Sequence, residues 1–154
     1  MPNEKGDADE IKIPRYAEFP VAVDFDGTIV EHEFPRIGAP VPGAFYWLEK
    51  WYDVGATLIL WTMRSNGQEG GNMLDEAWKF IQSMSNVDLF THANCNPQDW
   101  TTSPKAYARV YVDDAAFGCP LVLNAGKRPY VDWGIVGPGV LHQIKHHYEP
   151  LRVK

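Results

Sequence analysis

Residues Val21 to Val30, Val-Ala-Val-Asp-Phe-Asp-Gly-Thr-Ile-Val, constrain this chain more than any other stretch. The opening is apolar and β-branched, which suits a buried strand of a parallel sheet. Two carboxylates follow, Asp24 and Asp26, one residue apart, and Gly27 then favours a turn. Unpaired charge at the end of a buried strand is costly, so the two acids need a compensating partner. A divalent cation is the simplest one. Carboxylate and carbonyl oxygens suit Mg²⁺, which keeps several waters and accepts phosphate oxygens as further ligands.

The rest of the chain alternates between strand and helix signals. Ile29 to Gly43 holds three prolines and two glycines, which excludes a long helix and reads as a short hairpin or flap over the strand end. A helix is expected from about Gly43 to Tyr52, with Phe45, Leu48 and Trp51 on its apolar stripe and Gly55 after its end. Thr57 to Trp61 reads as a second buried strand, leading into Thr62-Met63-Arg64-Ser65-Asn66-Gly67. A second helix is expected over Gly71 to Met84, a third strand over Val87 to Thr91, and an irregular segment over His92 to Ser103. Pro104 then opens a short helical turn carrying Lys105. Arg109 to Val112 is a fourth strand ending in Asp113-Asp114, Pro120 to Leu123 a fifth, and Gly139 to His147 a last helix. This pattern predicts an α/β domain with a mostly parallel sheet of about five strands and helices on both faces. In such sheets ligands bind at the carboxyl edge, where strand order reverses. Asp24, Asp26, Thr62, Asp113 and Asp114 are all expected at that edge.

Composition narrows the setting. The 154 residues suit one domain with a sizeable core: residues 1–15 read as a flexible leader and 16–154 as a single domain. The net charge of −6 and the lack of a basic stripe argue against general nucleic-acid binding. Cys95 and Cys119 lack metal-type spacing and read as reduced thiols. No apolar run is long enough to span a bilayer, so no membrane partner is expected and a cytoplasmic setting is.

Asp24-Phe25-Asp26-Gly27-Thr28 behind a Val-rich strand resembles the first motif of the haloacid dehalogenase (HAD) superfamily. Three further motifs fall in the order that superfamily uses. Thr62 stands at the end of the second strand, Lys105 shortly before the fourth, and Asp113-Asp114 at the end of the fourth. The stretch from Lys105 to Asp114 is similar to that of small uncapped bacterial and phage members, and the match runs from about Val21 to Pro120. The resemblance implies a Rossmann-like three-layer sandwich without a cap domain. Neither the flap, Ile29 to Pro42, nor the segment His92 to Ser103 is long enough to hold one.

The resemblance also implies a Mg²⁺-dependent phosphatase, and the residue types suit the same roles. Asp24, the Asp26 backbone carbonyl and Asp113, with Asp114 in support, are expected to hold the ion that screens a doubly negative phosphate monoester. Asp24 attacks phosphorus to give an aspartyl-phosphate. Thr62, Lys105 and backbone amides hold the phosphoryl oxygens. Asp26 protonates the leaving oxygen and later deprotonates water, a role that needs an environment raising its affinity for a proton. Arg64 and Asn66 are candidate substrate contacts on the same edge. An uncapped site implies a large phosphorylated substrate or closure by another subunit, so a homo-oligomer is among the expectations.

Two other functions compete. A phospho-acceptor regulatory domain also combines acids, Thr, Lys and Mg²⁺, but it would carry its phosphorylated Asp at the third strand, which here ends in Thr91-His92. A non-catalytic binding module on the same fold would have lost a catalytic residue, and none is lost. Glu31, His32 and Arg36 read as solvated flap residues. His142, His146 and His147 fit a surface helix as well as a metal pair.

Overall fold

The computed structural model describes residues 18–67 and 69–149; the expected leader, 1–15, lies outside them. In chain order the elements are β1 (Phe19–Val23), α1 (Ala44–Asp53), β2 (Ala56–Leu60), α2 (Met73–Ser83), β3 (Phe90–Ala93), β4 (Val110–Val112), β5 (Leu121–Val122), β6 (Tyr130–Val131) and α3 (Trp133–Tyr148). The main sheet runs β3-β2-β1-β4, and every pairing in it is parallel. This is a small Rossmann-like α/β fold. Strand order reverses between β1 and β4, because β2 and β3 build outward on one side of β1 and β4 is added on the other.

All five residues of β1 are buried, as a central parallel strand requires. Its register pairs Val21 with Leu58 and Val23 with Leu60 on one side, and with Val110 and Val112 on the other. Side chains alternate across a sheet, so Phe19, Val21, Val23, Leu58, Leu60 and Val112 share one face. They form a single core with Leu48 and Trp51 of α1, Ala77 and Ile81 of α2, and Trp133, Val140 and Ile144 of α3. The three helices therefore cover one face of the sheet, where the sequence pattern suggested both. The other face carries Ala22, Ile59 and Tyr111, and the irregular link 94–109 lies over it. The Tyr111 hydroxyl donates to the Ala106 carbonyl, and Ala106 is buried.

Helix α1 buries Ala44, Leu48 and Trp51, spaced to fall on one side. Helix α3 begins six residues before the expected Gly139. Asp132 caps it, accepting from the Gly134 amide at 3.0 Å. Its Gly- and Pro-rich first turns look like a loop in sequence, yet they are shaped by contact. Gly137 lies flat against the Trp47 indole, and its carbonyl accepts from Trp51 Nε1 at 2.9 Å. At the far end of α3, Tyr148 Oη donates to the Gly55 carbonyl (2.8 Å) and accepts from the Phe19 amide (3.2 Å).

Three further expectations differ. The sheet has four strands rather than about five. The segment expected as a fifth strand pairs instead with β6 in a separate antiparallel hairpin. That hairpin is drawn to the turn after Asp26, where the Val131 amide donates to the Gly27 carbonyl at 3.0 Å. β3 starts three residues later than expected, since Val87 is exposed while Leu89 and Phe90 are buried. No helical turn forms at Pro104. Among the described residues no helix is long and apolar enough to cross a membrane.

The α3 contact gives a matched test. A Cβ on Gly137 would lie 2.2 Å from Trp47 Cγ, whereas one on Gly139 would meet nothing within 4 Å. Gly137→Ala should lower unfolding free energy by roughly 1–3 kcal/mol through overpacking, despite the better helix propensity of Ala. Gly139→Ala should raise it by about 0.4–1 kcal/mol, both read by urea unfolding.

Candidate functional site

Asp24 leaves β1 at its carboxyl end with its amide donating to the Val112 carbonyl (2.9 Å), which extends the β1–β4 pairing by one residue. That pairing brings Asp24 next to Asp113 and Asp114. One carboxylate oxygen from each of the three lies within 4.8 Å of the others, the one such acidic or His/Cys group of three among the described residues. Thr28, fully buried, sits behind them: its hydroxyl donates to Asp24 Oδ2 at 3.1 Å and accepts from the Asp114 amide at 3.3 Å. Asp113 Oδ1 accepts from the Ala115 amide at 2.8 Å.

The chain after Asp24 turns sharply. The Phe25 carbonyl accepts from the amides of Thr28, Ile29 and Val30. Gly27 has φ +79°, and a Cβ there would fall 2.1 Å from His32 Nε2 and 2.6 Å from Asp114 Oδ2. Glycine is needed at this position twice over, for its backbone and for the close approach. His32 contacts Asp114 Oδ2 at 2.9 Å and is largely buried, so it belongs to the site and not to a solvated loop.

Electrostatics at the cluster are strained. Burial, and then the neighbouring charge of Asp113, push the Asp24 carboxyl up from its ordinary value near 3.8 to about 8, with the Phe25 amide pulling the other way. Asp113 is also raised, chiefly by burial and further by Asp114. Crowded carboxylates of this kind disfavour one another's charge. An oxygen-liganded divalent cation fits this set, since it would replace mutual repulsion by attraction.

Asp24 and Asp113 share a cavity of about 250 Å³ with Thr62, Trp61, Met63 and Asn94. Thr62 is held by Asn94, which the sequence reading did not single out. Asn94 Oδ1 accepts from the Thr62 amide (2.8 Å) and its Nδ2 donates to the Arg64 carbonyl (2.9 Å). Asn94 has φ +50°, a conformation that Asn tolerates better than most residues. The Thr62 hydroxyl accepts from the Arg64 amide at 3.1 Å, leaving its own proton to donate elsewhere.

The remaining candidates sit elsewhere. Arg64 is buried, donating from Nε and Nη2 to the two oxygens of Asp26 (2.8 Å each), and from Nη1 and Nη2 to the carbonyls of Pro35 and Arg36 (3.1 and 2.8 Å). It is a clamp on Asp26 and the flap, and offers no open face to a substrate. The Asp26 carboxylate, accepting on both oxygens, is separate from the acidic cluster. Asn66 belongs to the start of α2, exchanging two hydrogen bonds with Asp75 at 3.0 and 3.1 Å. Lys105 lines a different cavity, with its ammonium 5.8 Å from the centre of the Tyr111 ring. His142 and His146 stack on the exposed side of α3, and His146 faces Glu149 at 3.8 Å.

Fold and site together define a small parallel α/β protein with an acidic cavity at its strand-order reversal. The chain is 34% identical to a conserved protein from Bacteroides thetaiotaomicron of known structure, over 82% of this chain and 92% of that one, with a TM-score of 0.61. It belongs to the same family as that protein. No family model matches the chain, and no curated protein does.

Two measurements test this geometry. In metal-free buffer the folded chain keeps a proton on Asp24 up to about pH 8, while the unfolded chain releases it near pH 4. The folded state binds more protons across that window, so this group's contribution to stability falls as pH rises. The stability of Asp24→Asn relative to wild type should therefore grow from pH 4 to pH 8, by on the order of 1–3 kcal/mol. A gap independent of pH would contradict the burial argument. Arg64→Leu should cost about 3–5 kcal/mol by stranding Asp26, and the double variant with Asp26→Leu should recover part of that loss.

Proposed function

We propose that this protein is a Mg²⁺-dependent phosphatase of the HAD type that hydrolyses a phosphate monoester through an aspartyl-phosphate on Asp24. The observation that carries this reading is the shared cavity of Asp24, Thr62 and Asp113 at the carboxyl ends of three parallel strands. It supports the reading because a nucleophile, a hydroxyl donor and a cation ligand must face one phosphoryl group. Mg²⁺ held by Asp24, Asp113 and Asp114, with the Asp26 carbonyl, would screen the charge of the phosphate.

The chain's own residues then divide the work. An Asp24 oxygen attacks phosphorus, the bond from phosphorus to the ester oxygen breaks, and that oxygen leaves with a proton from Asp26. Water next attacks the aspartyl-phosphate, gives its proton to Asp26 and releases inorganic phosphate. Arg64 orients Asp26 by donating to both of its oxygens; a buried cation is not the surrounding that the proton-donor role was expected to need, and the lone pair left on each oxygen is what remains for the proton. Thr62 donates to a phosphoryl oxygen, positioned by the Asn94 clamp. Lys105, which lines the other cavity, would have to extend from it to balance phosphoryl charge. A cytoplasmic location accords with the free thiols of Cys95 and Cys119.

Hydrolysis of an aryl phosphate should require Mg²⁺ and fall by at least about 1,000-fold in Asp24→Asn. Asp26→Asn should impair alkyl phosphates far more than aryl ones, because an aryloxide leaves without needing a proton. Thr62→Val should lower kcat by roughly 10–100-fold. Turnover that survives Asp24→Asn would overturn the assignment of the nucleophile. A stable phosphoprotein without turnover would favour a phospho-acceptor instead.

A further inference from the structure

The link between β3 and β4 builds a second cavity, of about 210 Å³, walled by Asn96, Trp100, Lys105, Tyr107 and Tyr111. It is held open by side-chain hydrogen bonds in place of regular structure. Asn96 Oδ1 accepts from the amides of Gln98 (3.3 Å) and Tyr107 (3.1 Å), and Asn96 Nδ2 donates to the Ser103 carbonyl (3.3 Å). The Tyr111 ring is fixed by its hydrogen bond to the Ala106 carbonyl. Trp100 and Tyr107 meet edge to face at 5.9 Å, and Trp100 is 68% exposed. A large indole exposed at the rim of a concave site, beside two half-open phenols, offers a face on which a planar ring can stack.

The chain ties this cavity to the acidic one. Tyr111 and Asp113 are two residues apart, as are Asn94 and Asn96, so each of these two short segments gives one wall residue to either cavity. Lys105 supplies a cation among the aromatic walls, 5.8 Å from the centre of the Tyr111 ring. The volume is below the about 300–1,000 Å³ of a site for a whole small molecule, so the space suits one ring system and not an entire ligand.

We infer that this cavity receives the leaving group of the substrate, and that the substrate is a phosphate monoester carrying a planar aromatic ring, stacked on Trp100 with Tyr107 meeting it at an angle. The inference rests on the phosphatase reading for its choice of a phosphate ester, but its test does not depend on turnover. Calorimetric titration of the full chain carrying Asp24→Asn, in Mg²⁺, compares AMP, UMP and phenyl phosphate with ribose 5-phosphate. The best of the ring-bearing ligands should bind at least about tenfold more tightly than ribose 5-phosphate. Trp100→Ala should bring the two within about twofold, and Trp100→Phe should restore most of the difference. Equal binding of ring-bearing and ring-free ligands, a preference that survives both Trp100→Ala and Tyr107→Ala, or no binding of any of them would overturn the inference. Ring-dependent binding by a chain whose wild type hydrolyses nothing would overturn the phosphatase reading alone. Turnover without ring preference would overturn the subsite alone.

Discussion

Everything at this edge depends on β1 being held between β2 and β4. Parallel pairing on both sides fixes where β1 ends, and so fixes where Asp24 emerges relative to Asp113 and Thr62. Three acids are thereby brought together in a partly buried place where they repel one another, at a cost that the core beneath them offsets. That core is dense on the helix side. Trp51 and Trp133 pack at 5.1 Å, and Trp133 Nε1 donates to the Thr28 carbonyl at 2.7 Å. The turn that carries the acids is thus anchored from below by α3, more than a hundred residues away in sequence.

Much of this was legible because it is local. The Val-rich run ending in Asp24-Phe25-Asp26-Gly27 declares both a buried strand and the reason it stops. The apolar stripe of α1 is as plain, and the central strands fall close to where their β-branched runs place them. What was illegible is what depends on distant contacts. The first turns of α3 contain Gly134, Gly137, Pro138 and Gly139 and read as a loop, since nothing nearby reveals the Trp47 indole that Gly137 must accommodate. The short strand at Leu121 has ordinary β character, but only the carbonyl of Gly27 explains why its hairpin docks away from the sheet.

The same division runs through the site. Residue types and spacing pointed to Asp24, Thr62, Asp113 and Asp114, and the cavity and acidic cluster bring these four side chains into one neighbourhood. Three partners were not visible in that way. His32 meets Asp114 across 82 residues, Asn94 grips the Thr62 loop from another strand, and Arg64 turns inward although its place in the sequence suggested an outward-facing contact. Each is a side chain whose role is set by its partner and not by its neighbours in sequence.

Arg64 also limits how this fold can diversify. The flap is closed at its stem by backbone hydrogen bonds from Glu31 to Ala39 and from Val41 to Ile29, and gripped near its tip at Pro35 and Arg36 by the guanidinium that holds Asp26. Insertions at that tip, the natural way for a lineage to acquire an additional lobe over the edge, would have to keep those two carbonyls in place or surrender the orientation of Asp26. The short flap is in this sense a lock: its tip and the general-acid candidate share one guanidinium, so neither can move without the other.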